Sequence, residues 1–285
     1  MNDLKITLIQ TDLFWENKAA NLQMLEQKIN SISQATHVVV LPEMFSTGFS
    51  MKPELFAEKM DGKTVAWMKE MAATKKIILT GSIIIAHNGR YYNRLVWMLP
   101  NGGYGYYDKR HLFAFGAEDK HYAAGEKRLI VSVNGWKINL QVCYDLRFPV
   151  WARQQALPPH SRGLAGRALE ETVSEAHEKT DGEAEYDVLL YVANWPERRI
   201  HAWKTLLMAR AIENQCYAIG VNRVGKDGND IYHSGASMVA GPMGEMLYQK
   251  EHDADIFTIH LSKEHFIATR EKFPFSKDAD DFILV

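Results

Sequence analysis

The sequence predicts an α/β protein in which helices cover mixed β-sheets in layers. Three observations support this prediction. Short runs of β-branched residues recur along most of the chain, segments of helical periodicity separate some of these runs, and glycine-containing turn sequences join others directly. Alternating strands and helices favour parallel pairing, whereas strands joined by short turns form antiparallel hairpins, so both together indicate a mixed sheet.

Eight segments have the composition of β-strands, because each is a short apolar run rich in valine and isoleucine. In chain order they are residues 6–9, 38–41, 77–85, 94–99, 130–133, 138–142, 188–192 and 217–221. Turn sequences at 88–89 and 101–103 combine asparagine with glycine, which predicts hairpins between the neighbouring strands.

Three segments repeat apolar residues every three or four positions, a spacing typical of amphipathic helices. Their apolar positions are Leu22, Leu25, Ile29 and Ile32 in the first, Val65, Met68, Met71 and Ala72 in the second, and Trp203, Leu206, Leu207 and Ala211 in the third. Each of these helices follows a predicted strand, as expected for layers of helix on sheet.

The chain length of 285 residues, with 46% hydrophobic residues, is enough for one large domain with a substantial core. We expect a single domain over residues 1–285, with a polar insertion at about 157–185. The insertion opens with two prolines and continues rich in Glu, Ala and Lys, so it is expected to form a surface loop followed by an exposed helix or disorder.

Composition excludes several classes of partner. The 33 Lys and Arg residues against 35 Asp and Glu leave a formal charge of −2, too little positive charge for a nucleic-acid-binding protein. No apolar run approaches the roughly 18 residues of a membrane span, and the first residues lack the basic and apolar regions of a signal peptide. The two cysteines cannot form a disulfide scaffold, so a cytoplasmic location is expected.

Three residues with useful chemistry each follow an apolar run, where open α/β sheets build their sites. Glu43 could act as a general base, Lys109 could stabilise an oxyanion, and Cys143 could be a nucleophile at a strand-to-turn junction. Position alone also allows a surface carboxylate, a salt-bridged lysine and a small buried thiol. A histidine could instead serve as the base for the thiol, and the candidates are His111, His121, His201 and His233.

No metal or cofactor is indicated by the sequence. It contains no His-Glu-x-x-His helix motif, no Cys-x-x-Cys pair and no acidic calcium loop. It also lacks a phosphate-binding Gly-x-x-x-x-Gly-Lys loop, and the glycines at 102, 103 and 105 are not placed between a strand and a helix. We therefore expect a cofactor-free protein.

Three blocks of sequence, taken together, resemble the signature blocks of the nitrilase, or carbon-nitrogen hydrolase, superfamily. They are Leu41-Pro42-Glu43-Met44-Phe45, Tyr107-Asp108-Lys109-Arg110-His111-Leu112-Phe113 and Cys143-Tyr144-Asp145-Leu146-Arg147-Phe148-Pro149. The segments 191–196, 209–214 and 270–274 resemble the bacterial omega-amidase branch. The resemblance implies a four-layer α-β-β-α sandwich, assembled as a homodimer or larger homo-oligomer through helices that flank the site.

The same resemblance implies a catalytic triad of Glu43, Lys109 and Cys143. Glu43 would accept the thiol proton as the sulfur attacks an amide carbonyl, and Lys109 and the backbone N–H of Tyr144 would hold the oxyanion. Glu118 matches the family's second glutamate, which supports the lysine, although Asp119 is an alternative in the local register.

The implied activity is omega-amidase. Relatives of this type hydrolyse the distal amide of 2-oxo dicarboxylic monoamides, such as 2-oxoglutaramate and 2-oxosuccinamate, to the oxo acid and ammonia through a cysteine thioester. A small-molecule amide with a far carboxylate needs a cationic partner, and Arg147 is the candidate, unless it pairs with Asp145. Phe49, Asn194 and Trp195 either line the pocket or pack the fold.

Other functions fit the same sequence. A broad short-chain aliphatic amidase would use the same triad, a catalytically silent binding protein would keep only the fold, and a Cys-His hydrolase would depend on a histidine base. The insertion departs from the family, since the chain is expected to pass almost directly from about Gln154 to Tyr186. It could cover the pocket, alter an oligomer contact or be an engineered addition.

Overall fold

The structure is a computed structural model that describes residues 3–154, 185–280 and 282. The predicted insertion at 157–185 lies outside the described residues except for Glu185, which is buried and ion-paired with Arg128.

The strands are β1 Leu4–Gln10, β2 Val38–Val40, β3 Ile78–His87, β4 Arg90–Met98, β5 Tyr104–Asp108, β6 Leu129–Val133, β7 Trp136–Val142, β8 Val188–Val192, β9 Tyr217–Val221, β10 Val224–Lys226, β11 Tyr232–Ala240, β12 Met246–Glu251 and β13 Asp255–Leu261. The helices are α1 Lys18–Asn30, α2 Pro53–Phe56, α3 Lys63–Lys75, α4 Glu118–His121, α5 Pro149–Ala152, α6 Ile200–Asn214 and α7 Lys263–Lys272.

The first sheet has the strand order β13-β1-β2-β3-β4-β5. Strands β1, β2 and β3 run parallel, because α1 and α3 carry the chain back between them, and β3, β4 and β5 follow as an antiparallel meander. Asn88 and Gly89 form the β3–β4 turn with φ of 48° and 74°, the left-handed conformations that a two-residue hairpin requires. Both predicted hairpins are confirmed.

The second sheet has the order β10-β11-β9-β8-β7-β6, and β12 pairs with β11. Its centre is parallel, since β7, β8 and β9 align with Ile138 opposite Val188 and Val188 opposite Tyr217. A mixed sheet is therefore present in both halves of the molecule, and all eight predicted strands are found.

The two sheets pack face to face, and helices cover their outer faces. Alternate residues of the central strands point to opposite sides: Val38 and Val40 join the core shared by the two sheets, whereas Val39 packs towards α1 and α3. On the other side α6 contacts β9 and β11 and buries Trp203 and Leu207. The three predicted helices and the mixed layers of sheet and helix are confirmed.

Strands of both sheets end on the same side of the molecule, and a polar or reactive residue follows each of them there. Glu43 follows β2 and Lys109 follows β5 in the first sheet, while Cys143 follows β7 and Asn194 follows β8 in the second. A site built here draws on both sheets. Within the described ranges, no helix has both the length and the apolar character needed to cross a bilayer.

Candidate active site

Glu43 is a fully buried carboxylate that connects the two sheets. From the first sheet, Lys109 Nζ donates to its Oε1 at 2.9 Å and Asn93 Nδ2 donates to the same oxygen at 2.8 Å. From the second sheet, the backbone N–H of Asn194 donates to Oε2 at 2.8 Å. These three donors fix the orientation of the carboxylate.

Lys109 is held between two carboxylates and is itself 1% exposed. Its Nζ lies 2.8 Å from Oε2 and 3.0 Å from Oε1 of Glu118, opposite its contact with Glu43. Glu118 also accepts the backbone N–H of Phe113 at 2.7 Å. The next residue, Asp119, is exposed, so Glu118 rather than Asp119 occupies the position against the lysine.

Cys143 occupies a strained turn directly after β7. Its φ of +46° lies in the left-handed region, and a 3-10 helix over Cys143–Arg147 begins at this residue. A non-glycine residue in this conformation at a strand-to-helix junction is typical of nucleophile elbows, which present the side chain at the end of a sheet. Glu43, Lys109 and the backbone N–H of Asn194 are the groups close enough to the sulfur to shift the pKa of Cys143.

The surroundings of Cys143 keep its sulfur in the thiol form. Burial raises the pKa of Cys143 well above its ordinary value, and the charge of Glu43 and its hydrogen bond to the sulfur add to the rise, while Lys109 opposes it. A nucleophilic sulfur therefore requires a base at the moment of attack, and Glu43 is the nearby carboxylate that could accept the proton.

The charge state of the lysine follows from its two neighbours. Burial alone would lower the pKa of Lys109, but the carboxylates of Glu118 and Glu43 outweigh it and raise the pKa above its ordinary value. Burial, with help from the Glu43 charge, raises the pKa of Glu118 although Lys109 opposes the change. The site therefore contains a permanent ammonium that can stabilise an oxyanion.

Asp145 ties the elbow to the loop after β5. This buried carboxylate accepts the backbone N–H of Val142 at 3.0 Å and the hydroxyl of Tyr107 at 2.8 Å. It also contacts His111 through the backbone N–H at 2.9 Å and through ring Nδ1 at 2.8 Å. Because Asp145 is engaged by these groups, it is not the partner of Arg147.

In the part of the chain that the structure describes, no hydrogen bond joins any of the four candidate histidines to the sulfur. His233 lines the cavity, but its Nδ1 is bound to the carbonyl of Ile231, and His201 is exposed. The ring of His111 is held by Asp145 and stacks on Phe148 with centroids 3.9 Å apart, and His121 is exposed. Cys216, the second cysteine, is buried among apolar side chains away from the site, and burial raises its pKa to about 12. The geometry thus favours a carboxylate base and a single reactive thiol.

A cavity of about 210 Å³ opens beside Cys143 and Lys109. All the sequence-predicted pocket residues and Tyr144 line it. Arg147 lies with Cζ 5.1 Å from the ring centroid of Trp195, and the Phe49 ring centroid lies 5.2 Å from Lys109 Nζ. The residues predicted from the sequence that line the cavity are Phe49, Tyr144, Arg147, Asn194 and Trp195.

Some residues of the site carry no signal in the sequence. Asn93 bridges both carboxylates, since its Nδ2 lies 3.2 Å from Glu118 Oε1 as well as 2.8 Å from Glu43 Oε1, yet it lies inside a strand and not at its end. Arg198 and Arg199 also line the cavity. They lie six and seven residues after the predicted strand 188–192, so their position does not mark them as residues at the end of a strand.

The cavity offers amide chemistry without any metal ligand set. Among the residues that the structure describes, no three His, Cys, Asp or Glu side chains are grouped so that they could hold a metal ion. The thiol of Cys143 and the ammonium of Lys109 line this cavity, and the carboxylate of Glu43 contacts the ammonium. That arrangement can attack a carbonyl, stabilise the oxyanion and transfer a proton.

Comparison with known proteins identifies the carbon-nitrogen hydrolase family, the one that the three sequence blocks resemble, over nearly the whole chain. The profile of the carbon-nitrogen hydrolase family matches residues 5–159 and 182–271, and the unmatched 160–181 fall inside the predicted insertion. The omega-amidase YafV of Escherichia coli (strain K12) is 39% identical over 285 residues, covering 100% of both chains. The 2-oxoglutaramate amidase of Bacillus subtilis (strain 168) is 28% identical over 278 residues, covering 96% of each.

Solved structures agree with the sequence relatives. XC1258 from Xanthomonas campestris, a CN-hydrolase superfamily protein with an arsenic adduct in its active site, is 40% identical, with a TM-score of 0.90 and 100% coverage of both chains. Saccharomyces cerevisiae Nit3 of the nitrilase superfamily shares the fold at 23% identity and a TM-score of 0.78, over 96% of this chain and 95% of Nit3. The four-layer architecture implied by the resemblance is confirmed, and the chain belongs to the carbon-nitrogen hydrolase family.

Proposed function

We propose that the protein is an omega-amidase that hydrolyses the terminal amide of a small 2-oxo dicarboxylic monoamide, such as 2-oxoglutaramate or 2-oxosuccinamate, and releases ammonia. The observation that carries the proposal is that Cys143 and Lys109 line one cavity while the buried carboxylate of Glu43 lies 2.9 Å from the Lys109 ammonium. Full-length identity of 39% to a protein named omega-amidase supports the choice of substrate.

The first step forms a thioester. Glu43 accepts the thiol proton while the sulfur of Cys143 attacks the amide carbonyl carbon, because the raised pKa of Cys143 leaves no standing thiolate at neutral pH. Lys109 and the backbone N–H of Tyr144, at the start of the 3-10 helix, stabilise the oxyanion. Glu118 keeps the ammonium in place through its two contacts.

The second half of the reaction uses the same groups. Glu43 returns its proton to the departing nitrogen, ammonia leaves, and the acyl group remains on Cys143. A water molecule then enters, Glu43 accepts its proton, and hydroxide adds to the thioester carbonyl. Collapse of that adduct releases the oxo acid and restores the thiol.

Arg147 is proposed to bind the far carboxylate of the substrate. It lies in the cavity against Trp195, and among the described residues no carboxylate forms an ion pair with it. A guanidinium matches a carboxylate bidentately, so an anionic substrate end would complete this part of the cavity. Phe49 and Asn194 are proposed to shape the pocket on the side of the reacting amide.

The proposal includes a cytoplasmic location and a homodimer or larger homo-oligomer. The described helices that flank the site present apolar side chains to solvent, with Val150 of α5 53% exposed and Ile212 of α6 52% exposed. An interface between subunits at these helices would remove both side chains from water.

The test is ammonia release from 2-oxoglutaramate by the purified protein. We expect turnover that Cys143→Ala lowers by at least about 1000-fold, because the thioester cannot form. Cys216→Ala is the matched control, since this second cysteine is buried outside the cavity, and it is expected to retain activity.

Pentanamide, an aliphatic amide of the same chain length without a carboxylate, separates the competing functions. Turnover of pentanamide at a rate equal to or above that of the oxo acid amide would identify a broad aliphatic amidase instead. Absence of turnover with both amides in a protein whose Cys143 resists alkylation would indicate a binding protein that only keeps the fold.

A further inference from the structure

Three guanidinium groups converge on the cavity beside the nucleophile. Arg147, Arg198 and Arg199, called here the arginine cluster, line it together with Cys143. Asp227 is the one acidic residue among the described lining residues. A cavity of about 210 Å³ with this excess of positive charge attracts a small anion.

The arginine cluster lacks a counter-ion. In the part of the chain that the structure describes, none of its three members forms an ion pair, whereas Arg94, Arg210 and Arg223 elsewhere in the fold are all paired with carboxylates. Burial, together with the positive charges of Arg198 and Arg147, lowers the pKa of Arg199 from its ordinary value. The unbalanced repulsion is relieved when an anion enters.

Two of these guanidinium groups lie over aromatic rings. Arg199 Cζ lies 4.9 Å from the ring centroid of Phe113, and Arg147 Cζ lies 5.1 Å from that of Trp195. Trp195 Nε1 also donates to the backbone carbonyl of Arg199 at 2.9 Å, which ties the two walls together. A guanidinium stacked on a ring keeps its N–H edge free, and that edge is the part that binds a carboxylate.

We propose that Arg199 is a specificity-determining residue that binds the substrate's far carboxylate together with Arg147. This inference rests on the proposed omega-amidase function and adds a second residue to its carboxylate subsite. Two stacked guanidinium edges around one carboxylate fix both the position and the angle of the acyl chain, so the distal amide reaches Cys143 in one orientation.

The experiment compares Arg199→Gln with the wild type on 2-oxoglutaramate and on pentanamide. For the oxo acid amide we expect kcat/KM to fall by about 10- to 100-fold, mainly through a higher KM, because a charge-assisted pair to the bound carboxylate is lost. For pentanamide we expect a change of less than about 3-fold, since that substrate makes no such contact. Arg90 is an exposed arginine at the start of β4. Arg90→Gln removes the same charge and is expected to leave kcat/KM unchanged for both amides.

Each remaining outcome decides the inference. An Arg199→Gln protein that matches Arg90→Gln on the oxo acid amide overturns the role of Arg199 while leaving the omega-amidase function intact. Equal losses on both amides also overturn it, because Arg199 would then act through the fold. A wild-type protein that does not turn over 2-oxoglutaramate overturns the proposed function itself.

Arg199→Lys keeps the inference testable if the glutamine variant does not fold. Lysine retains the charge without the planar fork, so we expect a smaller rise in KM for the oxo acid amide and no change for pentanamide. An unchanged KM for the oxo acid amide in this folded variant would overturn the bidentate contact.

Discussion

At Cys143, two opposite charges shift the pKa of one sulfur in opposite directions. Burial and the Glu43 carboxylate raise the pKa of Cys143, and Lys109 lowers it, with a net rise. The same carboxylate that suppresses the thiolate is the one that we propose accepts the proton during attack. Thiolate population and catalytic rate are therefore expected to change in opposite directions when Glu43 is neutralised.

Glu43→Gln tests this relation. Without the carboxylate charge the pKa of Cys143 falls, so thiolate absorbance in the ultraviolet, measured against Cys143→Ala, should appear at lower pH than in the wild type. Amide hydrolysis should nevertheless fall by about 100- to 10,000-fold, because the general base is absent.

In the wild type we expect no thiolate below pH 9, because the pKa of Cys143 is raised above the ordinary thiol value of 9.0. A wild-type midpoint below that pH would show that the field of Lys109 dominates and would contradict the assigned balance.

The residues of the site differ in how far the sequence can predict them. Glu43 and Cys143 each follow an apolar strand, whereas Lys109 follows β5, whose composition is mixed. Position and residue type make these three residues candidates, and only the resemblance to a family joins them into a triad. Asn93 lies within β4 and contacts both carboxylates only because the chain folds β4 beside β5. A contact of that kind depends on register between strands, which a local pattern does not carry.

At the scale of elements, apolar runs predict the buried strands and miss the others. Strands β5, β12 and β13 have partly exposed faces and mixed composition, and β11 combines serine and glycine with small apolar residues although most of it is buried. Helix α7 is not predicted for a related reason: Phe266 is its one buried residue, so the helix has no apolar stripe. Local sequence shows how much of a strand is apolar, whereas its pairing is decided by the rest of the sheet.

The described ends of the predicted insertion lie together. Gln154 Nε2 donates to the backbone carbonyl of Tyr186 at 3.2 Å, and its backbone N–H donates to Asn214 at 3.0 Å. Tyr186 precedes β8 at the end of the sheet opposite Cys143. The seven residues of β7, from Trp136 to Val142, separate these two ends by about 20 Å. The described fold thus needs no long connection at this point.

Replacing residues 157–184 with two glycines should therefore preserve the enzyme. We expect a melting temperature within a few degrees of the wild type and a kcat/KM for 2-oxoglutaramate within about 3-fold, because both attachment points are fixed by contacts outside the deleted segment. Thermal unfolding and steady-state kinetics measure the two quantities. A loss above 10-fold in a folded variant would assign the insertion a part in the site.

At the scale of the whole molecule, one buried histidine makes stability depend on pH. His233 in β11 is 3% exposed and donates from Nδ1 to the carbonyl of Ile231, and burial, with the charge of Arg223, lowers its pKa to about 4 from 6.5. The unfolded chain takes up a proton on this ring below pH 6.5, whereas the folded protein does so only near pH 4. Stability from this group is complete above pH 6.5 and is lost as the pH falls to 4.

The loss should amount to roughly 3 kcal/mol in the free energy of unfolding. We expect His233→Gln to remove this part of the pH dependence between pH 6.5 and 4, as measured by urea unfolding at several pH values. His87→Gln, an exposed histidine at the end of β3, should follow the wild-type curve. Parallel curves for the wild type and His233→Gln would contradict the assignment.

The pairing of β1 with β13 also has a consequence for how the protein is made. Thr7 of β1 meets Thr258 of β13 across 251 residues of sequence. At the usual speed of translation, roughly 10 to 50 s pass between synthesis of the two strands, and during this time one edge of β1 lacks its neighbour. An open edge invites pairing with other nascent chains. The sheet that carries Glu43 and Lys109 is complete only after Leu261 has left the ribosome, so a stalled chain is both inactive and prone to aggregate.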